Sequence, residues 1–504
     1  MPDRRPNILF LMADQLAPSA LPAYGNRVTR TPNLDALAAE GVVFESAYCN
    51  SPLCAPSRAS LLTGLLPSRL GTYDNGAEFC ASFPTLAHHL RAAGYFTCLA
   101  GKMHFVGPDQ LHGFEERITT DIYPAGTDWI PDWTRPVEER LPWYHDMSSV
   151  LEAGVSEATL QLDYDEEVAF RAERKLYDLA RAEDARPFFF VVSFTHPHDP
   201  YEVPRRHWDL HGGAGLPRVA PIPLDDADPH SRRVRAMCGT DATDFGEEHV
   251  RNARRAYSAA TSYVDEKLGM LLAALDATRM RDETLVLFCS DHGDMLGERG
   301  LWYKMTFFED SARVPLLVHA PARFPAARVP QNVSLVDVLP TLVELAAPEE
   351  RLPTADPPDG RSLVPLLKGD APAGDETVAS EYLAEGTYAP CVMLRRGPLK
   401  YVHCPGDPDQ LYDLENDPDE LVNLADERRG VAADFAAEVE RRWNLPALRE
   451  RVLASQQRRL AVARALRVGE PAVWDYAPPD ESRDRYVRGE DFWAPFGRAR
   501  LRPQ

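Results

Sequence analysis

Short apolar runs rich in β-branched and aromatic residues alternate along the chain with stretches of helical periodicity. Runs of this kind are typical of strands buried on both faces of a parallel sheet that helices cover. The predicted core strands are Asn7–Ala13, Phe96–Ala100, Phe188–Phe194, Thr284–Ser290 and Pro315–His319. The predicted helices are Asn33–Glu40, Ser57–Thr63, Thr85–Ala93, Asp165–Ala182 and Val250–Ala277. We therefore predict an α/β fold with a large mixed, mostly parallel sheet between helices.

The chain is also predicted to contain a smaller second domain. Pro200–His249 is rich in proline with little periodicity, which predicts an excursion over the surface. Pro348–Gly374 is rich in Pro, Asp and Gly and marks a domain boundary. A β-rich α+β domain should follow, because Arg395–His403 and Gln410–Pro418 resemble a strand, a turn and a strand. The predicted parts are a large domain over 1–374, a small domain over 375–460 and a C-terminal tail over 461–504.

Composition excludes several classes of protein. The 504 residues include 55 Lys and Arg against 77 Asp and Glu, and the net charge of −22 disfavours binding to nucleic acids or anionic membranes. Eight cysteines are scattered without paired spacing, which predicts a reduced, cytoplasmic compartment. The N-terminal apolar run ends at Asp14 after seven residues, so we interpret it as a buried strand rather than a signal sequence or a membrane span.

Polar residues follow several of the predicted strands. Asp14, Lys102, His196 and Asp291 each come at or just beyond the end of an apolar run. In open α/β sheets, ligands bind outside the carboxyl ends of the strands, where such side chains meet. We therefore expect a functional site at this edge.

The string Ser51-Pro-Leu-Cys54-Ala-Pro-Ser-Arg58 is the most informative stretch of the chain. Proline is tolerated in the first turn of a helix, so Cys54 should lie where a loop becomes a helix and unpaired N–H groups favour an anion. The alternative is a structural buried thiol. The string resembles the C-x-P-x-R signature of sulfatases. That resemblance implies an alkaline-phosphatase-like fold and oxidation of Cys54 to formylglycine by a maturation enzyme, the hydrate being the nucleophile.

The resemblance also implies one divalent metal ion. Asp14, Asp291 and His292 match metal-ligand positions of sulfatases, and Cys54 completes the set. Carboxylate oxygens suit Ca²⁺, Mg²⁺ or Mn²⁺. Many sulfatases have a second aspartate after the first, whereas this chain has Gln15. The lower ligand charge and the imidazole make Mn²⁺ a serious rival to Ca²⁺.

Five cationic or titratable residues match sulfatase positions with distinct roles. The resemblance implies that Lys102 binds the sulfate and that His104 is the base that releases it from the nucleophile. His198 and Lys304 match residues that contact the ester oxygen, and one of them should protonate the leaving alcohol. Arg58 should orient the nucleophile and support the anion.

Longer strings resemble the choline sulfatases in particular. They are Tyr73–Phe79, Gly101–Arg117, Thr120–Pro124 and Ser290–Trp302, and the resemblance extends from about Pro6 to the mid-470s. It implies that choline O-sulfate is the substrate, and that aromatic faces and a carboxylate hold the quaternary ammonium. The matching substrate-binding positions are Asn75 for the sulfate, Trp129, His145 and Glu385 for choline, and Asp491 in a tail that crosses to a neighbouring subunit of a homotetramer, a dimer of dimers. Trp133, Trp143 and Tyr144 lie near them in sequence.

Two alternative functions remain open at this stage. One is a phosphonate monoester hydrolase or phosphodiesterase, or a broad aryl or alkyl sulfatase, with the same nucleophile. The other is a binding protein that holds an anion beside an unmodified Cys54. The full set of nucleophile and proton-transfer groups opposes the second alternative, because a binding protein would not need both.

Overall fold

A computed structural model describes residues 5–136, 139–141, 143–213, 215–346, 356–370, 377–470, 473–480, 485 and 498–500. Its largest element is an eight-stranded sheet in the order β8-β2-β7-β6-β1-β5-β3-β4. The strands are β1 (Asn7–Asp14), β2 (Val42–Tyr48), β3 (Phe96–Gly101), β4 (Glu116–Arg117), β5 (Phe188–Pro197), β6 (Thr284–Ser290), β7 (Arg313–His319) and β8 (Ala327–Ser334). Only β7 runs antiparallel to its neighbours. The predicted large, mostly parallel sheet is therefore confirmed.

Helices pack against this sheet, among them Leu160–Arg181 and Glu247–Ala277 against β5. Strands β1, β5 and β6 are buried along almost their whole length, as expected for strands covered on both faces. Among the described residues, the helices of seven residues or more are Pro32–Glu40, Cys54–Thr63, Leu86–Ala92, Leu160–Arg181, Pro229–Cys238, Glu247–Ala277, Val338–Ala346, Arg429–Arg442 and Leu445–Leu466. No helix in the described ranges is long and apolar enough to cross a membrane.

A second, smaller sheet lies in the C-terminal part. Its four antiparallel strands are β9 (Val378–Tyr382), β10 (Cys391–Arg396), β11 (Leu399–His403) and β12 (Gln410–Asp413). The last two helices, Arg429–Arg442 and Leu445–Leu466, share an apolar core with it. The second of these helices continues past position 460, the predicted end of the small domain, and the division into three parts stays a prediction.

The sequence patterns located most elements and missed a few. All five predicted core strands are present, and Thr284–Ser290 has the predicted bounds. Strand β8 was missed because it contains Pro330 and several polar residues, a composition tolerated at a sheet edge. The segment between Pro200 and His249 was predicted as an irregular excursion, yet it contains the helix Pro229–Cys238, which Asp228 caps through the Ser231 N–H.

Candidate active site

The ends of three strands bring the first polar groups together. Asp14 is the last residue of β1, Lys102 directly follows β3, and Asp291 directly follows β6, as predicted. His196 was expected at the same edge, but it lies within β5, and its ring Nδ1 is 2.7 Å from Asp165. Its position is therefore that of a buried, paired histidine outside the site.

Cys54 is the first residue of the helix Cys54–Thr63 and is 1% exposed. Its Sγ lies 3.1 Å from Nε2 of His292 and 3.8 Å from Oδ1 of Asp14. One atom each from Asp14, Cys54, Asp291 and His292 form a group within 4.8 Å of one another. The four residues predicted as metal ligands therefore meet in one buried cluster.

The hydrogen bonds of this cluster suit a metal ion. Nδ1 of His292 lies 3.0 Å from the Gly293 carbonyl, which can only accept, so Nδ1 carries the hydrogen and Nε2 keeps its lone pair toward the cluster. Oδ1 of Asp291 accepts from the backbone N–H groups of Gln15 and His292, each at 3.0 Å. Two carboxylates and a neutral imidazole are donors that fit Mn²⁺, Ca²⁺ or Mg²⁺.

Two buried cations surround the carboxylates. The guanidinium of Arg58 donates from Nε to Asp291 at 2.7 Å and from Nη1 to the Lys102 carbonyl and the Ser193 hydroxyl. The ammonium of Lys102 contacts Asp14 directly and lies 3.7 Å from Sγ of Cys54. Burial alone would raise the pKa of Asp14, but Lys102 and Arg58 overcome it and hold that pKa below its ordinary value. The Asp14 carboxylate is therefore ionised in this cluster.

His198 and Lys304 form a hydrogen-bonded pair. Nδ1 of His198 donates to the Asp199 carbonyl at 2.6 Å, and its Nε2 accepts from Nζ of Lys304 at 2.7 Å. Burial, followed by the Lys304 charge, holds the pKa of His198 well below its usual range. Nζ of Lys304 also donates to Oε1 of Gln15 at 2.5 Å, while the amide nitrogen of Gln15 donates to Asp294. Lys304 is therefore the member of the pair that carries the proton.

His104 is buried, and neither of its ring nitrogens has a hydrogen-bond partner among the described residues. Its backbone has a positive φ of 56°, and its N–H donates to Asp121 at 2.9 Å. The ring centroid lies 5.2 Å from that of Tyr123 and 5.5 Å from that of Trp129. An imidazole fixed in this way, with both nitrogens free, can accept a proton from a bound group.

A cavity of about 640 Å³ opens beside Cys54. Its lining includes the predicted residues Asn75, Trp129, His145, His198, Lys304 and Glu385. Trp143 and Tyr144 line it too, whereas Trp133 does not and donates its indole N–H to the Ala384 carbonyl at 2.7 Å. The predicted contact residue Asp491 lies outside the described residues.

Glu385 has an unusual position in this cavity. It is 4% exposed, and its Oε2 has no hydrogen-bond partner among the described residues. Burial raises its pKa to about 8. Such a carboxyl group, once ionised, stabilises a cation that enters the cavity, because the positive charge compensates for the buried negative charge.

The remaining predicted contacts lie close to the nucleophile. Asn75 accepts with its side-chain oxygen from the Ala55 N–H, at the start of the Cys54 helix, at 3.0 Å. The ring of His145 stacks on Tyr303 at 4.5 Å, and its Nδ1 lies 3.3 Å from Oδ2 of Asp199. Both side chains are thus fixed by neighbours of the site.

Sequence reasoning did not single out two residues of the cavity. The ring of Tyr123 lies under the Lys102 ammonium, 4.1 Å from Nζ to the centroid. Asp199 lies between His145 and His198, with contacts of 3.3 and 3.2 Å. Tyr123 lies in the string Thr120–Pro124 and Asp199 directly follows His198, yet neither matches a motif position whose chemistry is evident from residue type.

The chain is similar to known families and proteins along most of its length. The Sulfatase family matches residues 6–348, the C-terminal region of N-sulphoglucosamine sulphohydrolase matches 297–444, and the C terminal of the choline sulfatase enzyme matches 450–493. A choline-sulfatase of Rhizobium meliloti (strain 1021) is 51% identical over 496 residues, which are 96% of each chain. An arylsulfatase of Clostridium perfringens is 27% identical over 83% of this chain and 90% of its own.

The fold has solved counterparts as well. The crystal structure of a phosphonate monoester hydrolase of Agrobacterium radiobacter aligns with a TM-score of 0.70 and 26% identity, over 89% of this chain and 96% of its own. The predicted alkaline-phosphatase-like fold with a sulfatase architecture is thereby confirmed. Because the family match covers more than half of the sequence and a relative of more than 50% identity covers nearly all of it, the chain belongs to the sulfatase family of enzymes.

Proposed function

We propose that the protein hydrolyses choline O-sulfate to choline and sulfate in the cavity beside Cys54. The observation that carries this proposal is the buried Glu385 carboxyl group, which lines the same cavity as Cys54 and has an oxygen without a partner among the described residues. Choline O-sulfate is a zwitterion, so its site needs an anion pocket and a cation pocket together. The 51% identity to a choline-sulfatase supports the same substrate.

The cation pocket follows from the chemistry of a quaternary ammonium group. That group cannot donate hydrogen bonds, so aromatic faces and a negative charge are the groups that stabilise it. Trp129 and His145 would supply the aromatic faces and Glu385 the charge, with Trp143 near them in the lining. This set explains why a carboxyl group is kept in a cavity that buries it.

The anion pocket is proposed to hold two groups that the polypeptide alone does not supply. One is a Ca²⁺, Mn²⁺ or Mg²⁺ ion, which Asp14, Asp291, His292 and residue 54 would hold and which would supply Lewis-acid activation of the sulfate group and the nucleophilic hydroxyl. The other is formylglycine, formed from Cys54 by a maturation enzyme, whose hydrate offers one hydroxyl to attack sulfur and a second whose deprotonation lets sulfate leave.

The chain's own residues would move the protons and hold the charges. Lys102 and Arg58 surround the anion pocket and would neutralise the sulfate oxygens. Lys304 holds the proton in its pair with His198 and would pass it to the oxygen of the leaving choline. His104, with both ring nitrogens free of partners among the described residues, would take up the proton whose loss releases sulfate.

The proposal extends to assembly and location. The match of residues 450–493 to the C-terminal region of choline sulfatase supports a family-like tail, in which Asp491 would reach a neighbouring active site in a homotetramer, a dimer of dimers. None of the eight cysteines, all of which are described, forms a disulfide bond, and seven of them are buried, which supports a reducing compartment such as the cytoplasm.

Phosphonate monoester hydrolysis is the second candidate, since a hydrolase of that class shares the fold at 26% identity. A neutral leaving group would make no use of the Glu385 charge. The carboxyl group therefore favours choline O-sulfate, and it also provides the test.

We expect the preference for choline O-sulfate to increase with pH. Glu385 is neutral below its pKa of about 8 and charged above it, so only the higher range offers a full charge to the ammonium group. The ratio of kcat/KM for choline O-sulfate to that for 3,3-dimethylbutyl sulfate, an analogue that lacks the ammonium charge, should rise roughly tenfold or more from about pH 6 to about pH 9. Steady-state kinetics with both substrates measures this ratio.

Glu385→Gln should make the ratio low and independent of pH, because the amide is never charged. Asp146→Asn is the matched control: Asp146 lines the same cavity but is exposed, so this variant should keep the rise. A flat ratio in the wild-type enzyme, or a rise that persists in Glu385→Gln, would remove the argument for the cation pocket.

A further inference from the structure

The C-terminal helix Leu445–Leu466 is attached to the anion side of the cavity by an ion pair. Arg459 donates from Nη1 and Nη2 to the two carboxylate oxygens of Asp74, each at 2.7 Å. The Asp74 side chain is fully buried, and that of Arg459 is 12% exposed. Asp74 also accepts from the Gly76 N–H at 3.0 Å, so its carboxylate organises the turn that presents Asn75 to the nucleophile helix. Through Arg459, the helix Leu445–Leu466 thus fixes the position of Asn75.

The same turn supports the aromatic wall of the cavity. Gly76 packs directly against the backbone of Trp129, since a Cβ at this position would lie 2.8 Å from the Trp129 carbonyl carbon and oxygen. A contact this close transmits any displacement of the turn to Trp129. Arg459 therefore affects the position of Trp129 as well as that of Asn75.

A second attachment leads to the cation side. Gln456 lies three residues before Arg459, on the same face of the helix, and is fully buried. The Oε1 atom of Gln456 accepts from the backbone N–H of Trp133 at 2.9 Å. Trp133 in turn donates its indole N–H to the Ala384 carbonyl at 2.7 Å, next to Glu385. Trp133 therefore connects the helix Leu445–Leu466 to the segment that carries Glu385.

These attachments matter because the three wall segments are loops. Residues 74–76, 129–133 and 384–385 contain neither helix nor strand. A loop takes its position from what it packs against, and two rigid points on one helix fix the loops relative to one another. The planar fork of Arg459 holds the Asp74 carboxylate in one orientation, which a point charge would not do.

We propose that Arg459 and Gln456 are positioning residues that set the spacing between the sulfate and ammonium ends of the cavity. This inference rests on the proposed function, because it concerns how the cavity selects a substrate by the distance between its two charged ends. It assigns to the helix Leu445–Leu466 a part in substrate selection within its own chain, separate from any contact made by the tail.

The test measures the two ends of the cavity separately, with choline and inorganic sulfate as inhibitors. Gln456→Leu keeps the packing volume but removes the acceptor for Trp133. It should raise the inhibition constant for choline and the KM for choline O-sulfate by about tenfold and leave the inhibition constant for sulfate within about twofold. Arg459→Met should weaken inhibition by both, because Asn75 and Trp129 both depend on the Asp74 turn.

Two further variants keep the result interpretable. Arg459→Lys leaves a charge beside Asp74, so it should restore a melting temperature lost in Arg459→Met while keeping a raised KM. Arg458→Met changes the exposed neighbour and should alter neither inhibition constant. Wild-type inhibition by choline in Gln456→Leu, or equal weakening of both inhibitors in that variant, would overturn the positioning role alone. A wild-type enzyme that neither turns over choline O-sulfate nor binds choline would overturn the proposed function and the positioning role together.

Discussion

Replacing Cys54 with alanine is expected to lower kcat for sulfate ester hydrolysis by about 10⁴-fold or more. Loss of a nucleophile typically costs this much, because the other groups can only stabilise charge around a reaction that no longer has its attacking atom. Cys54 lies among Asp14, His292 and Lys102, so no neighbouring group can take its place. Sulfate release, followed by ion chromatography, measures the loss.

The fold should survive this change. Alanine is a good residue for the first turn of the helix Cys54–Thr63, and the deleted sulfur leaves only a small space, at a cost of about 1 kcal/mol. Cys80→Ala is the matched control, because Cys80 is the exposed cysteine, and its activity should equal that of the wild type. Release of sulfate by Cys54→Ala at more than about 1% of the wild-type rate would contradict the assignment of the nucleophile.

Replacing His104 with glutamine is expected to lower kcat by a factor of about 10² to 10⁴, the usual loss when a general base is removed. The amide fills similar space but cannot take up a proton. Neither ring nitrogen of His104 has a partner among the described residues, so the change breaks no hydrogen bond of the side chain. The KM for choline O-sulfate should therefore change much less than kcat. Steady-state kinetics separates the two effects.

His88→Gln provides the comparison for this variant. His88 is half-buried on the helix Leu86–Ala92 and is not part of the cavity lining, so its substitution should leave kcat within about twofold of the wild type. A kcat of His104→Gln within tenfold of the wild-type value, at unchanged melting temperature, would show that His104 is not the base.

The fold was largely predictable because buried parallel strands have a simple signature. Runs such as Phe188–Phe194 contain more consecutive apolar residues than a surface strand or a loop would. Their alternation with stretches of helical periodicity indicates a sheet layer covered by helices. The same argument failed for β8, whose edge position tolerates Pro330. It also failed for His196, because β5 continues to Pro197 and turns that ring toward Asp165.

The proximity of Asp14, Cys54, Asp291 and His292 was predictable because these residues lie in short motifs at strand ends and at a helix start. Other parts of the site depend on contacts that no local pattern reports. Gln15 was interpreted only as a missing ligand charge, whereas its side chain connects Lys304 with Asp294. The pair Arg459 and Asp74 is separated by 385 positions, so neither residue has a sequence signal that points to the other.

We propose that this chain is a sulfatase for an ester with a cationic leaving group. The proposal can be tested by measuring kcat/KM for choline O-sulfate and for a phenyl phosphonate monoester, on enzyme whose residue-54 peptide mass confirms formylglycine. We expect a preference for choline O-sulfate of at least about a hundredfold. A preference for the phosphonate would leave the fold and the nucleophile in place but contradict the proposed substrate.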